Sequence, residues 1–258
     1  MPYSVSLAKS LTYDAQQVRG QFDDVLVALA QAASEALPPK SAEHLSQGAG
    51  RRVGVLGHCI TTIFKKFPPS TQKPLDRSDL YDVQIAHHAF VINLYGFFEN
   101  LAWAFILRHG LEAQVGGRRN IGLFLKPTQR LLPQSIRAYL TSATMVAWHD
   151  DYLKNYRDAL AHRVPLYIPP SALTDADVVE LNTITQHEQE ALNDRQWDVM
   201  DDLRERKLGL GRPCLFFVHS YSDDEDPRPI YLHPQVLCDA KTLVDFVPTF
   251  LEGWHEHS

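Results

Sequence analysis

The run Asp151-Tyr-Leu-Lys-Asn155-Tyr-Arg157-Asp158-Ala-Leu-Ala-His162-Arg-Val-Pro165 sets a guanidinium, a carboxylate and an imidazole within six positions. Those groups suit proton transfer beside a fixed positive charge. An imidazole titrates near neutrality and can carry a proton, while a guanidinium stays charged and offers paired donors. At about 100° per helical residue, Asp151, Asn155, Asp158 and His162 fall at steps of four, three and four and form one polar stripe. Leu153, Tyr156, Leu160 and Val164 take the other face. Arg157 and His162 are about 140° apart around a straight helix, so one chain offers them in different directions. One chain then offers only half a site, unless the final turn unwinds ahead of Pro165 and Arg157 reaches round. A plainer reading also fits, with Asp158 and His162 as an i, i+4 hydrogen-bonded pair and Arg157 neutralising a neighbouring helix.

An Arg, four residues and a His near the end of a helix resemble the signature of the HEPN superfamily, which is Arg, four to six residues, His. Asp158 stands where that family usually carries a polar residue, most often Asn or Asp. Upstream, Phe97-Phe98-Glu99-Asn100-Leu101 is similar to the family's helix that sends an acidic or amide side chain to the same site. The likeness spans roughly Tyr13 to Pro169 and does not reach the last third of the chain. It implies a helical bundle that cleaves RNA without metal or other cofactor, by attack of the ribose 2′-hydroxyl on the adjacent phosphate. On this resemblance His162 is the proton shuttle, Arg157 the phosphate's cation with Asp158 beside it, and Glu99, Asn100 and Asn155 give support. It further implies a homodimer, a toxin or defence role, and an antitoxin or nucleotidyltransferase as partner. The alternative is a HEPN-like module that has lost catalysis and serves binding or dimerisation.

With 25 Lys and Arg against 31 Asp and Glu, the net charge is -6, so no global field draws the chain to nucleic acid or to an anionic membrane. Any RNA contact must therefore be local. Between Ala113 and His149 there is no Asp or Glu, while Arg118, Arg119, Lys126, Arg130 and Arg137 precede the motif helix as a phosphate footprint. Ser171 to Asp226 is the reverse, with 14 acidic residues against 5 basic, and is expected to lie over or beside the basic stretch and limit access.

Other motifs were weighed against this one. His149-Asp150 resembles the dipeptide of HD-type metal phosphohydrolases, with His87 or His88 and Asp194 as further ligands. Gly48-Ala-Gly50-Arg-Arg-Val-Gly54 lacks dinucleotide-fingerprint spacing and reads as a loop entering a helix, and His255-Glu-His257 reads as a mobile tail. Cys59, Cys214 and Cys238 are odd in number and widely spaced, which suits buried thiols in a reducing compartment. Met1 to Ser10 has no apolar core of signal-peptide length, so the expected location is the cytoplasm, without membrane contact.

The elements that must position the motif are mostly helical. Apolar residues recurring at three and four predict helices over Tyr13 to Leu37 and Arg51 to Phe67, each closed by Pro-Pro. Ser78 to His109 is apolar nearly all round and predicts a buried central helix; Asn93, Glu99 and Asn100 within it would be costly in lipid. Shorter helices are expected over Leu131 to Leu140 and Thr144 to Arg163, and one polar helix from Thr174 to Leu208. Cys214 to Val218 and Pro229 to Leu232 flank the turn-rich Ser222 to Pro227 and predict a hairpin, with Pro165 to Ile168 as an added strand. A closing helix follows, bent or restarted at Pro248. The expected fold is mainly α, a HEPN-like bundle over residues 1–170 with an appendage at 171–258.

Overall fold

The computed structural model describes residues 2–219 and 228–256. In chain order the helices are α1 (Val5–Ala33), α2 (Pro39–Glu43), α3 (Arg51–Lys66), α4 (Arg77–Arg108), α5 (Lys126–Gln129), α6 (Gln134–Leu140), α7 (Ala143–Ala147) and α8 (Lys154–His162). There follow α9 (Asp175–Asn193), α10 (Trp197–Leu208), the strands β1 (Phe216–His219) and β2 (Arg228–Tyr231), and α11 (Leu232–Glu252). The molecule is a mainly α bundle with one two-stranded antiparallel sheet near its C-terminal end.

Local chemistry sets the boundaries. Ser4 caps α1 by accepting from the Leu7 amide, and Asp76 caps α4 by accepting from the Asp79 amide at 2.8 Å. Thr174 and Asp177 form a reciprocal capping box at the start of α9. Phe67, with Pro68 after it, leaves helical geometry and ends α3, and α8 ends at His162, ahead of Pro165.

α4 is the axis of the bundle, as its all-round apolar sequence requires. Phe90, Phe97, Leu101 and Phe105 have no exposure, and α1, α3 and α11 contribute Phe22, Ile60, Val236, Phe246 and Phe250 to the same core. Truncating Phe97 to Ala would remove a fully buried ring and cost about 3–5 kcal/mol. α4 is also long and apolar enough to cross a membrane by length and composition. Its polar groups are instead held by protein: Asn93 accepts from Arg52 Nη1 at 3.0 Å and donates to the Ala89 carbonyl at 2.8 Å.

Two π-helical segments adjoin the regular helices. His44–Gly50 leads directly into α3, so the glycine-rich stretch expected as a loop is helical. Trp148–Leu153 joins α7 to α8. The widened i→i+5 turn carries both Trp148 and His149 to the inside, although they are consecutive. Trp148 Nε1 donates to Asp239 Oδ1 on α11 at 2.8 Å and anchors the segment.

The appendage expected from residue 171 is smaller than that boundary. β1, β2 and α11 belong to the main core, while α9 and α10 alone share a separate cluster of Ile184, Ala191, Met200 and Leu203. The single polar helix expected there is two, because Arg195 adopts a positive φ of 58° after Asn193 and turns the chain. The expected third strand contributes only the Tyr167–Val218 bridge. Ser222 to Pro227 and His257 lie outside the described residues. His255 is no tail, since its Nδ1 lies 2.7 Å from Arg108 and its Nε2 3.4 Å from Glu35.

Candidate functional site

The two polar residues read together on α4 part company. Neighbours in a helix point about 100° apart, and Asn100 turns to the His44–Gly50 segment. Its Oδ1 lies 3.1 Å from His44 Nδ1, its amide donates to the Gly96 carbonyl at 2.6 Å, and it presses on Gly48, where a Cβ would lie 2.0 Å from Oδ1. Asn100 therefore holds backbone and takes no part in the motif's site. Glu99 turns toward α8, where it interacts electrostatically with Arg157.

Arg157 packs on α4. Its guanidinium carbon is 4.2 Å from the centre of the Tyr95 ring, a cation–π distance, and Nη1 meets Asp158 Oδ1 at 3.0 Å. Nε is buried and has no partner. Burial pushes the Glu99 carboxyl up to about 7, against the pull of Arg157. Burial, with Glu99 adding to it, also raises the Tyr95 phenol.

The third side of the cluster is the loop Ile121–Leu125. Buried Thr128 staples it, accepting from the Gly122 amide at 3.1 Å and donating to the Asn120 carbonyl at 2.7 Å. At Gly122 a Cβ would lie 2.9 Å from Glu99 Oε1, so the loop's backbone approaches the carboxyl closely. Phe124 stacks on the His149 ring at 3.8 Å and 12°, and Tyr95 flanks the same ring at 6.1 Å. His149 Nδ1 meets Asp150 Oδ1 at 2.7 Å, while Nε2 is buried without a partner. Burial holds this imidazole below its ordinary pKa, with Lys154 and Arg157 acting the same way against Asp150, so the ring is neutral at pH 7.

His162 is not in this cluster. α8 stays helical to its end, so the expected unwinding does not occur, and His162 is exposed at the last turn while Arg157 faces α4. The polar stripe is also altered. Asn155 donates to the Asp150 carbonyl at 2.8 Å, taking up an acceptor at the π turn, and Asp158 is paired with Arg157.

Arg118, Arg119, Lys126, Arg130 and Arg137 are all exposed, and none forms an ion pair among the described residues. Arg118, Arg119 and Lys126 flank the loop that carries Gly122 and Phe124. The α9–α10 pair does not cover them. Its Lys207 and Leu208 line a groove of about 580 Å³ with Leu80, Tyr81 and Gln84, and Glu99 lies fifteen residues beyond Gln84, roughly 22 Å along α4. Two of its acids, Glu188 and Glu180, meet its own cations, in Arg204–Glu188, Lys207–Glu188 and Arg206–Glu180.

The metal reading gathers no donors. His87 packs against Phe217 with the rings tilted by 48°, His88 Nε2 lies 2.7 Å from the Leu166 carbonyl, and among the described residues no three His, Cys, Asp or Glu side chains are grouped to hold an ion. The missed member of the site is His149, and its signal was the adjacent Asp150 that fixes one ring nitrogen. No family model, curated protein or solved structure matches the chain.

Proposed function

We propose that the chain is a metal-independent endoribonuclease of HEPN type, with Arg157 holding the scissile phosphate. One observation carries this reading: the Arg157 guanidinium is laid on Tyr95, beside a carboxyl poised near neutral pH, with its Nε unpaired. A fixed cation next to a group that can give or take a proton is what 2′-hydroxyl attack on a phosphodiester needs. Exposed cations around the neighbouring loop supply backbone affinity for single-stranded RNA.

The resemblance assigns the proton shuttle to His162, which stands exposed on the same helix. A two-fold homodimer is the arrangement that would bring a second chain's His162 to Arg157, and a toxin or defence role with a silencing antitoxin belongs to the same reading. The separation of Arg157 from His162 within one chain favours a second reading, a non-catalytic HEPN-like module docking a nucleotidyltransferase.

The test is cleavage of a mixed single-stranded RNA pool in excess chelator. The wild type is expected to cut, and Arg157→Ala is expected to lose about 10²–10³ in rate through loss of phosphate stabilisation. Arg157→Lys keeps the charge but not the flat stacked fork, and is expected to recover only part of that loss. Binding without cleavage would support the module instead.

A further inference from the structure

We propose that His149, not His162, accepts the proton of the attacking 2′-hydroxyl, in a site that Glu99 and Arg157 complete within a single chain. The inference rests on the ribonuclease reading above and names its base and acid.

The imidazole is built for that role. Its side chain is only 8% exposed, and Nδ1 points at the Asp150 carboxylate, which places the ring proton on Nδ1 and leaves the lone pair on Nε2. Nε2 is buried and unpartnered, an arrangement that destabilises a fold unless a ligand satisfies it. Phe124 and Tyr95 fix the ring's plane. The second orphaned polar atom of the cluster, Arg157 Nε, belongs to the guanidinium lying on that same Tyr95 ring. Glu99 interacts electrostatically with Arg157 and Tyr95 of the same set. His162, by contrast, is exposed.

The step balances. The 2′-oxygen bonds to phosphorus as its proton passes to His149 Nε2, the bond from phosphorus to the 5′-oxygen breaks, and that oxygen takes the proton of the Glu99 carboxyl. The products are a 2′,3′-cyclic phosphate and a 5′-hydroxyl, with Arg157 facing the charge on the phosphoryl oxygens. Substrate would reach the buried Nε2 only if Phe124, partly buried on its loop, swung off the imidazole, where its ring would offer a base a stacking surface.

Acid and base assigned this way set the direction of the pH profile. His149 faces Asp150, Lys154 and Arg157 from its own helix and Tyr95 from α4, and the loop over it, Ile121–Leu125, carries no charge. Glu99 faces Arg157 and Tyr95. The base is free above its lowered pKa and the acid is lost above about 7, so the rate should fall as pH rises from 7 to 8. A histidine base acting without a titrating acid would give a rate that rises and then levels.

The experiment compares full-length wild type, His149→Gln, Asp150→Asn, His162→Ala and Glu99→Gln on single-stranded RNA in chelator, each checked by thermal melting. His149→Gln should lose 10²-fold or more in kcat with KM within threefold, and Asp150→Asn at least tenfold. The loss in His149→Gln should exceed that in His162→Ala, and Glu99→Gln should abolish the fall near pH 7. Asp150 is largely exposed, so its variant remains informative should His149→Gln fail to fold. Wild-type cleavage that dies in His162→Ala and survives in Asp150→Asn overturns this inference and leaves the ribonuclease reading standing. A wild type without cleavage overturns that reading, and this inference with it.

Discussion

At the scale of single residues, the chemistry depends on how closely a few side chains are held. Gly122 is the sharpest case, since any Cβ there meets Glu99 Oε1 at 2.9 Å and the Leu125 side chain at 3.1 Å. Both can yield by a small shift, so Gly122→Ala is expected to keep the fold, with melting within a few degrees of wild type. It should lower cleavage about tenfold or more by displacing the carboxyl. An unchanged rate would remove Glu99 from the mechanism. Asp158 stands out in the sequence by its spacing on the polar stripe, whereas Arg157 and Glu99 stand out only through the family resemblance. His149 was read only as a metal ligand, because its burial depends on a π turn and its stacking partner lies 25 positions away on a loop. Asn100 and Glu99 were read as a pair, yet adjacent helical positions diverge and only one can face α8.

At the scale of elements, the π segment is secured by a buried carboxylate. Asp239 on α11 accepts from Trp148 and from Gln235, both through Oδ1, and burial pushes its pKa up to about 6. The folded state thus holds this proton more tightly than the unfolded chain. That contribution to stability is full below the ordinary pKa of 3.8 and is lost as pH rises through about 6, a swing of roughly 3 kcal/mol. Asp239→Asn retains the Oδ1 acceptor without the charge. It is expected to melt about 5–10 °C higher than wild type at pH 8 and to match it near pH 4, as read by calorimetry. The helix ends at Pro68 and ahead of Pro165 and the capping box at Thr174 were legible because each rests on local backbone chemistry. The break between α9 and α10 was not, because the turn is made by Arg195 in a left-handed conformation that glycine usually supplies. Nor do i→i+5 turns leave a side-chain pattern that distinguishes them from ordinary helix.

At the scale of the whole molecule, a chain of net charge -6 must meet RNA through one local patch, and the exposed cations on either side of the Ile121–Leu125 loop form it. Replacing Arg118 and Arg119 by Ala should weaken RNA binding at every sequence and flatten the salt dependence of affinity by about 1.4 in log–log slope. A slope unchanged in a binding titration would move the footprint elsewhere. The mainly α bundle and its central apolar helix were legible from periodicity. The place of the acidic helices was not, since charge alone does not say which end of α4 they cover. The central claim is ribose-directed cleavage at Arg157, and end-group analysis of the products tests it most directly. Wild-type protein in chelator should leave 2′,3′-cyclic phosphate and 5′-hydroxyl ends, and should not cut at a position whose 2′-hydroxyl has been replaced by hydrogen. Cleavage at that deoxy position, or 5′-phosphate ends, would contradict it.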